Sequence, residues 1–406
     1  MSGSPSSTTR RQFIRTTAAG GGLLALGAGS GALSAGTFGP IVPGPLAGDL
    51  PHGTADQDRP GRALSILILG GTSFLGPHQI RYALERGHSV STFTRGRTLP
   101  RMHADLFSQV DQLVGDRGGD FESLRGRTWD AVIDNSGSQV EWTRDSAQLL
   151  RDRVGRYVYT SSTGVYHPYL GTDIGEDTAV LLEDAPSGRG SRGPSYGVMK
   201  SLSEIEAREA FGEDRTLVFR PTYVVGPGDT TDRFPYWPAR LERGGEVLVP
   251  GKAEDPVQWI DVRDLTEWMI RMIEDENSGT YNVAGPGFPM GMHAFVHGAH
   301  AATSAPVSWV YADDYDFLRE HRLSTSIPWI MPVGDYEGSA YINIQRAVAN
   351  GLTYRPLAQT TAATLDWWHS DAVDEERREA MVSGPRSLMT REPEIIAAWR
   401  ARGSSR

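Results

Sequence analysis

The sequence contains no cysteine, which excludes disulfide bonds, thiolate metal ligands and a cysteine nucleophile. Lysine is almost absent as well: only Lys200 and Lys252 occur, so arginine supplies nearly all of the 40 basic residues. Each of these two lysines is therefore a candidate for a specific role. The net charge is −10, so electrostatics gives no reason to expect a nucleic-acid partner. The 406 residues, 39% of them hydrophobic, suffice for one large or two modest domains.

The chain also lacks a convincing membrane-spanning run. Its N-terminal apolar stretch, residues 18–35, is too rich in glycine and alanine to span a bilayer. Arg10 and Arg11 precede this stretch, and the combination is typical of a twin-arginine export signal. The alternatives are a disordered tail that carries two arginines by chance and a cytoplasmic protein with a misleading tail. We expect export across the cytoplasmic membrane by the twin-arginine machinery, with residues 1–35 as the signal and residues 36–63 as a Pro/Gly linker.

A strand–turn–helix–strand pattern in residues 64–97 organises the rest of the chain. An aliphatic run leads into a small-residue turn, apolar residues then recur at helical spacing, and a second strand covers 89–94. This βαβ unit places the helix N-terminus beside the strand ends, where backbone N–H groups can hold a pyrophosphate. The alternative is a glycine turn that only packs strand against helix. The predicted cofactor-binding residues of this turn are Gly70, Thr72, Ser73, Phe74, Leu75 and Gly76.

Further strands follow with helices between them, an alternation that predicts an α/β fold with a doubly wound parallel sheet of the Rossmann type over residues 64–225. We expect a smaller mixed α/β substrate-binding domain over 226–370 and a charged, helical surface segment over 371–406. The predicted strands are 64–69, 89–94, 109–114, 129–134, 156–161 and 216–225, and the predicted helices include 139–153 and 196–211. The ligand of such a sheet lies across the carboxyl ends of the strands, where we find Asp116, Asn135, Ser136, Gly137, Ser161 and Ser162.

Tyr196 and Lys200 lie one turn apart on a predicted helix, so their side chains leave the same face. A free tyrosine has a pKa of about 10, and an adjacent ammonium favours the phenolate. A positively charged nicotinamide ring would add to this effect, so Tyr196 could exchange protons near neutral pH. Ser162, after a predicted strand, would hydrogen-bond the substrate oxygen. A tyrosine and a lysine at this spacing also occur by chance, but the rarity of lysine in this chain favours a functional pair.

Four segments together resemble the extended short-chain dehydrogenase/reductases, specifically the NAD-dependent epimerase/dehydratase group. They are the turn at 70–76, the strand end at 160–166, the pair Tyr196 and Lys200, and the motif at 220–227. The resemblance covers residues 64–368 and implies that Ser162, Tyr196 and Lys200 are catalytic. It further implies that Asp116 contacts the adenine and that the cofactor is lined by Asn135, Ser136, Gly137, Lys200 and Pro221.

The resemblance also implies a redox cofactor and often a sugar-nucleotide or other carbohydrate substrate, and many relatives dimerise through a four-helix contact. Two departures concern the cofactor. Ser73 stands where the middle glycine of the turn would be, so its side chain would either crowd the phosphate or donate a hydrogen bond to it. The second strand ends with Thr94 followed by Arg95, where an NAD-preferring fold would place an acidic residue for the 2′-hydroxyl. Arginine suits a 2′-phosphate, so we expect NAD(P) with a preference for NADP.

The leading hypothesis is an exported NAD(P)-dependent epimerase, dehydratase or reductase that moves a hydride between bound nicotinamide and a hydroxyl or keto carbon of a carbohydrate-like substrate. Because no nicotinamide pool exists outside the cytoplasm, a tightly held cofactor would fit an exported enzyme best. The turn also resembles that of the branch containing the chloroplast stem-loop RNA-binding proteins, in which the fold has been used for binding RNA. The alternative is therefore a non-catalytic nucleic-acid or ligand-binding protein on a retained Rossmann fold, against which the acidic balance argues.

Two further segments each allow two interpretations. The loop at 167–195 is either a lid over the site or a disordered insertion. His293, His297 and His300 share a helical face at a spacing that could hold zinc, but no acidic general base accompanies them. We therefore predict surface or packing histidines and no metal site.

Aromatic residues form two clusters in the second half of the chain. Trp367 and Trp368 are expected in the core, whereas the cluster at 234–237 has an even chance of facing the substrate. Beside it, Asp232 and Arg233 either bind a polar or anionic group or pair with each other.

Overall fold

The computed structural model describes residues 61–135, 138–184 and 195–403. The predicted export signal, most of the predicted linker, Ser136, Gly137 and part of the predicted lid lie outside these described residues. Within the described ranges, no helix combines the length and the apolar character that crossing a membrane requires.

The regular elements alternate along the first part of the chain, as the sequence predicts. The strands of the described chain are β1 (Ser65–Leu69), β2 (Ser89–Thr94), β3 (Asp111–Val114), β4 (Trp129–Asp134), β5 (Val154–Thr160), β6 (Thr216–Pro221), β7 (Val224–Val225), β8 (Gly245–Pro250), β9 (Ile260–Asp261), β10 (Gly279–Val283), β11 (Val307–Ala312), β12 (Thr325–Ser326) and β13 (Trp329–Ile330). Its α-helices are α1 (Leu75–Glu85), α2 (Val140–Leu150), α3 (Tyr196–Phe211), α4 (Tyr236–Leu241), α5 (Val262–Glu274), α6 (Met292–His300), α7 (Tyr315–Glu320), α8 (Gln345–Ala349), α9 (Leu357–His369), α10 (Glu375–Ser383) and α11 (Leu388–Gly403).

Seven strands form one parallel sheet in the order β10-β6-β5-β4-β1-β2-β3. The strand order reverses at β1, which pairs with β2 on one side and β4 on the other. An open parallel sheet binds its ligand at such a reversal, beyond the carboxyl ends of the strands. The prediction of an α/β fold with a doubly wound parallel sheet is confirmed.

Helices cover both faces of this sheet because its central strands are apolar on both sides. Alternate residues of β1 point to opposite faces: Ile66 and Ile68 pack with residues of α1 and α5, whereas Leu67 and Leu69 pack with residues of α2 and α3. All four β1 side chains are buried. The two apolar cores therefore fix β1, and with it the turn that follows, in the middle of the molecule.

The sheet differs from the sequence expectation at the sixth predicted strand. The run 216–225 is divided, since β6 ends at Pro221 and β7 pairs in parallel with β9 outside the main sheet. Proline has no N–H to donate to the next strand, so the ladder stops there. The seventh strand, β10, and the covering helix α5 come from residues 262–283, which we assigned to the second domain. The main sheet thus draws on chain beyond residue 225.

The second half of the chain builds a separate apolar core around the parallel pair β8 and β11. The C-terminal helices α10 and α11 belong to this core, because Ile395 and Ile396 are buried in it. Glu392 of α11 is buried too, where it accepts hydrogen bonds from Arg240 and from the backbone N–H of Leu248 at 2.8 Å. The predicted helices of this segment are present, but the structure differs from the surface position we expected.

Candidate active site

A cavity of about 650 Å³ opens beyond the carboxyl ends of the central strands. It is lined by residues that follow β1, β4, β5 and β6, together with the start of α3. Seven of the predicted site residues line it, namely Phe74, Leu75, Asn135, Ser162, Tyr196, Lys200 and Pro221. The predicted catalytic residues are therefore brought together, although they are far apart in the sequence.

Ser162 and Tyr196 are placed by two tight local structures. The Ser162 hydroxyl accepts a hydrogen bond from the backbone N–H of Gly164 at 3.0 Å, which caps a short 3-10 helix after β5. Tyr196 opens α3, whose N-cap Ser195 accepts from the backbone N–H of Val198. These caps hold both functional side chains at the ends of regular elements rather than on free loops.

Two glycines let α3 approach the strand end. A Cβ atom on Gly164 would lie 3.3 Å from both the Ser162 Oγ and the Tyr196 ring. A Cβ atom on Gly197 would lie only 2.4 Å from the carbonyl oxygen of Gly164, a distance that real Cβ atoms do not adopt. The proximity of Ser162 and Tyr196 thus depends on the absence of side chains at these two positions.

Lys200 is buried, with 3% of its surface exposed. Its Nζ donates a hydrogen bond to the carbonyl oxygen of Thr160 at 2.7 Å and lies 5.8 Å from the ring centroid of Tyr196. Burial lowers the pKa of Lys200 to about 8, and the charges of Asp134 and Glu204 oppose this shift. The ammonium is therefore held under the tyrosine ring by the end of β5.

The pKa of Tyr196 differs from our expectation that an adjacent ammonium would lower it. Burial of the phenol raises its pKa above the ordinary value, while a hydrogen bond with Ser162 and the charge of Arg233 lower it. Since 56% of the Tyr196 surface is exposed in the open cleft, a bound cofactor and substrate would still change its surroundings.

A buried network beneath the cleft was not recognised from the sequence. Glu204 of α3 accepts from both Arg220 Nε and Nη2, at 2.9 and 2.6 Å, and from the Ser161 hydroxyl at 2.5 Å. Arg220 also donates to the Tyr166 hydroxyl at 2.7 Å, and Tyr166 donates to Asn282 at 2.7 Å. The residues Tyr166 and Arg220 belong to the motifs that carried the resemblance, so a signal existed, but their partner Glu204 had none. The network ties β5, α3, β6 and β10 together below the site.

A second, smaller cavity of about 270 Å³ lies at the other side of the reversal point. The predicted residues that line it are Gly70, Thr72, Ser73, Thr94, Arg95, Asp116 and Asn135. Asn135 lines both cavities, and its side-chain oxygen accepts from Gln79 at 3.1 Å and from Thr160 at 3.0 Å. The two cavities therefore have Asn135 as a common wall. Ser136 and Gly137 lie outside the described residues.

The turn between β1 and α1 fits a dinucleotide. Gly70 has a φ of +85°, and a Cβ atom there would meet nothing within 4 Å, so the turn is open toward the cavity. A Cβ on Gly76 would lie 2.2 Å from the Gly71 carbonyl oxygen, so this glycine serves close packing and does not line either cavity. No side chain caps α1; the backbone N–H of Gly76 donates to the Ser73 carbonyl at 2.8 Å, and the other N–H groups of the first turn are available to a phosphate. Ser73 is exposed and lines the smaller cavity instead of filling the turn.

Asp116 lines the smaller cavity, as expected, and its Oδ1 accepts from the backbone N–H of Gly118 at 2.8 Å. The neighbouring Arg117 was overlooked in the sequence. Its guanidinium forms a buried, bidentate ion pair with Asp134 at 2.5 and 2.8 Å, and Tyr157 donates to the same carboxylate at 2.7 Å. The coulombic attraction and hydrogen bonds from Asp134 raise the pKa of Arg117 against the effect of its burial. This pair fixes the strand end that carries Asn135.

The loop that we expected to be a lid or an insertion is anchored in its first part. The backbone N–H of Tyr169 donates to the Asp335 carbonyl at 2.8 Å, and that of Ile174 donates to the Tyr341 carbonyl at 2.9 Å. Leu181 is held by the Val165 carbonyl at 2.7 Å and lines the catalytic cavity. Residues 167–184 therefore form a wall of the site, and residues 185–194 lie outside the described chain.

The histidines that share a helical face pack against the aromatic residues of β11. His293 stacks on Tyr311 with ring centroids 3.9 Å apart, and His297 is 3.0 Å from the Tyr311 hydroxyl. His300 is hydrogen-bonded to the Ala305 carbonyl at 2.8 Å. Among the described residues, no group of histidine and acidic side chains is arranged to hold a metal ion.

The structure also shows where the two aromatic clusters and the neighbouring residues Asp232 and Arg233 lie. Phe234 and Trp237 are buried in the second core with Trp367 and Trp368, and none of the four lines the catalytic cavity. Asp232 and Arg233 do not pair with each other. Arg377 Nε donates to Asp232 at 2.7 Å, and Arg233 lines the catalytic cavity.

These features define a dinucleotide-binding α/β protein with a serine, a tyrosine and a lysine at the mouth of the cofactor cleft. Residues 66–284 match the model of the NAD dependent epimerase/dehydratase family, and the chain belongs to this family.

Known proteins from plants and bacteria are similar to parts of the chain. The chloroplast stem-loop binding protein of 41 kDa b from Arabidopsis thaliana is 30% identical over 54% of this chain and 58% of its own length. The dTDP-4-dehydro-6-deoxy-D-allose reductase of Streptomyces bikiniensis is 28% identical over 54% of this chain and 76% of its own length. The match thus spans less than two thirds of the chloroplast protein.

A solved structure shares the fold over a longer stretch. The Bordetella bronchiseptica enzyme WbmH, in complex with NAD⁺, is 18% identical with a TM-score of 0.57, and the match covers 77% of this chain and all of that one.

Proposed function

We propose that this chain is an enzyme that moves a hydride between a bound NAD(P) cofactor and a hydroxyl or keto carbon of a carbohydrate-like substrate. The observation that carries the proposal is the meeting of Ser162, Tyr196 and Lys200 in one cavity that shares Asn135 with the cavity of the glycine turn. The membership of the NAD dependent epimerase/dehydratase family supports it.

An NAD(P) molecule held in this cleft would supply or accept the hydride at its nicotinamide ring. Tyr196 is the proton donor and acceptor, because its hydroxyl is the titratable group exposed at the cavity wall beside Ser162. Ser162 orients the substrate oxygen by a hydrogen bond. Lys200 has further N–H groups besides the one bonded to Thr160, and these are available to ribose hydroxyls.

The cofactor that we propose is NADP. Arg95 and Arg97 line the smaller cavity, both are exposed, and neither has a carboxylate partner among the described residues. No acidic side chain stands at the end of β2, where Thr94 lies. Two uncompensated guanidinium groups at this place suit the 2′-phosphate better than a 2′-hydroxyl.

A carbohydrate-like substrate is supported by the outer wall of the catalytic cavity. His167, Tyr169 and Tyr336 form an aromatic cluster there, with ring centroids 5.6 to 6.2 Å apart. Such faces pack against the apolar sides of sugar rings while hydroxyl groups remain free for hydrogen bonds. The similarity to a reductase of a dTDP-linked keto sugar points to the same substrate class.

The test compares Tyr196→Phe with Tyr341→Phe, a matched change at an exposed tyrosine outside the catalytic cavity. The purified proteins are denatured, the released nucleotide is identified, and nicotinamide absorbance is followed during incubation with a panel of keto sugars. We expect wild type and Tyr341→Phe to turn over, and Tyr196→Phe to retain the nucleotide but lose at least about 100-fold in rate. Turnover of Tyr196→Phe at the wild-type rate would refute the assignment.

We also propose that the protein is exported by the twin-arginine route, on the basis of Arg10 and Arg11 before an apolar stretch. Cell fractionation of a strain that expresses the full chain should place it outside the cytoplasm. Replacement of both arginines by lysine should retain it inside. An unchanged distribution would contradict the proposal.

One observation favours a different function. The similarity to a chloroplast stem-loop binding protein suggests nucleic-acid binding on the same fold. Salt-dependent binding of a stem-loop RNA by the purified protein, together with no nucleotide released on denaturation, would support this alternative. The net charge of −10 argues against it.

A further inference from the structure

Arg233 is an arginine of the catalytic cavity whose guanidinium forms no ion pair with the described residues. It lies on the loop between β7 and α4 and lines the catalytic cavity that also contains Tyr196. Its Nε donates to the Thr231 hydroxyl at 3.0 Å, which orients the guanidinium, and its two terminal nitrogens have no hydrogen bond to the described residues. Because Arg377 engages the adjacent Asp232, Arg233 has no carboxylate partner in the described chain.

Asp229, a second acidic residue of this loop, makes no direct ion pair with Arg233 among the described residues. Asp229 is buried, and its Oδ1 accepts hydrogen bonds from the backbone N–H of Thr231, at 2.8 Å, and from the Thr231 hydroxyl. Thr231 thus separates the carboxylate from the guanidinium while bonding to both. The positive charge of Arg233 acts on the buried Asp229 carboxylate and, in the cleft, on Tyr196 and Tyr223.

A further cavity of about 330 Å³ begins on the other side of Arg233. Its walls are mainly apolar and include Ile327, Ala380, Met381 and Leu388. Tyr236 also lines it, with 7% of its surface exposed, and its buried hydroxyl has no hydrogen-bond partner among the described residues.

We propose that Arg233 binds a carboxylate of the substrate and that the further cavity receives an apolar substituent attached elsewhere on the same sugar ring. The inference rests on the proposed function, because it takes the reacting carbon to lie at Tyr196. One guanidinium matches one carboxylate in charge and can form two parallel hydrogen bonds with it. Arg233 is the only cation that lines the further cavity in the described chain, and the carboxylate of Asp232, which also lines it, is engaged by Arg377.

The test uses four commercial probes that separate the charge from the extension. They are methyl and phenyl β-D-glucuronide, and the corresponding methyl and phenyl β-D-glucosides, which carry a hydroxymethyl group in place of the carboxylate. Dissociation constants are measured by calorimetry on the full chain with its cofactor bound. In wild type, each glucuronide should bind at least about tenfold more tightly than its glucoside, and phenyl more tightly than methyl.

Two variants and one control show which residue is responsible for the glucuronide preference and which for the phenyl preference. Arg233→Gln should abolish the glucuronide preference, whereas Arg153→Gln, at an exposed arginine beyond the amino end of β5, should keep it. Ala380→Trp, an exposed position on α10, should remove the phenyl preference and leave the charge preference intact. Equal binding of glucuronides and glucosides by wild type, or an unchanged preference in Arg233→Gln, would overturn the role of Arg233. A phenyl preference that survives Ala380→Trp would overturn the role of the further cavity.

Failure of the proposed function gives a different result. Tyr196→Phe should bind the four probes with wild-type preferences, since it keeps Arg233 and the further cavity. If wild type shows the preferences but transfers no hydride with any keto sugar, the inference stands and the proposed function fails. If hydride transfer depends on Tyr196 but the preferences are absent, only the inference is lost.

Discussion

The pair formed by Glu204 and Arg220 offers the sharpest test of how the site is supported. Glu204→Ala removes the carboxylate that accepts from Arg220 at 2.9 and 2.6 Å and from Ser161 at 2.5 Å. Glu204 is 1% exposed and Arg220 is 5% exposed, so the variant leaves a buried guanidinium without its counter-charge. Removing one partner of such a pair costs about 3–5 kcal/mol of unfolding free energy. Arg220 keeps its bond to Tyr166, which places the expectation toward the lower end.

A control on the same helix separates this effect from the loss of any glutamate. Glu206 lies two positions further along α3, and its carboxylate is 4.0 Å from Arg144 in a partly exposed ion pair. Glu206→Ala should therefore cost about 1 kcal/mol or less. Unfolding is followed in urea by tryptophan fluorescence for wild type and both variants.

A double replacement tests the physical cause. Glu204→Leu combined with Arg220→Met removes both charges and fills the space with apolar groups, so it should cost less than Glu204→Ala alone. Equal losses for Glu204→Ala and Glu206→Ala, or a double variant that is less stable than Glu204→Ala, would refute the reasoning.

The remaining predictions concern the cofactor cleft, the helix approach and Lys200. Arg95→Ala combined with Arg97→Ala should weaken NADPH binding at least about tenfold and leave NADH binding unchanged in fluorescence titrations; equal losses for both cofactors would contradict the 2′-phosphate assignment. Gly197→Ala should lower the melting temperature and abolish turnover, because the new Cβ would lie 2.4 Å from the Gly164 carbonyl oxygen, whereas Gly175→Ala, with nothing within 4 Å, should change neither. Burial lowers the pKa of Lys200 from 10.5 to about 8, so folding releases a proton between these values and the stability of wild type should rise with pH across that window. Lys200→Met should lack this rise, a difference of about 3 kcal/mol in urea unfolding at pH 8 and pH 10.5, and parallel pH profiles for the two proteins would show the shift to be absent.

The sequence predicted the sheet where local pattern and long-range packing agree. The strands β2 and β4 match their predicted bounds. Their apolar residues are buried on both faces of a parallel sheet, so the local hydrophobic pattern and the packing in the fold agree. The predicted strand 216–225 failed at Pro221, where the missing N–H ends the ladder. β10 escaped notice because an edge strand of five residues carries little apolar signal.

In the candidate site, too, some residues could be predicted from the sequence and others could not. Ser162, Tyr196 and Lys200 could be assigned from spacing and strand ends, and the structure brings them into one cavity. The buried partners Glu204 and Asp134 could not, because a lone acidic residue on a helix or at a strand end usually meets solvent, and only the fold shows which arginine pairs with it. The same holds for the direction of the Tyr196 pKa, which depends on how deeply the ring is covered.

The C-terminal segment shows a further limit. Its charge pattern predicted a surface position, since helices with many acidic and basic residues are usually solvated. The structure instead buries Ile395 and Ile396, and it satisfies the Glu392 carboxylate with Arg240. The partner lies about 150 residues away in the sequence, and no local pattern reveals such a pair.

Deuterium transfer tests the central claim most directly. Wild type and Tyr196→Phe are each incubated with a panel of keto sugars and with NADPH in which both hydrogens at C4 of the nicotinamide are replaced by deuterium, and the masses of the products are measured by mass spectrometry. The account predicts one deuterium in the alcohol formed by wild type and a rate at least about 100-fold lower for Tyr196→Phe with the cofactor still bound. A wild-type product without deuterium, or equal labelling rates for the two proteins, would contradict it.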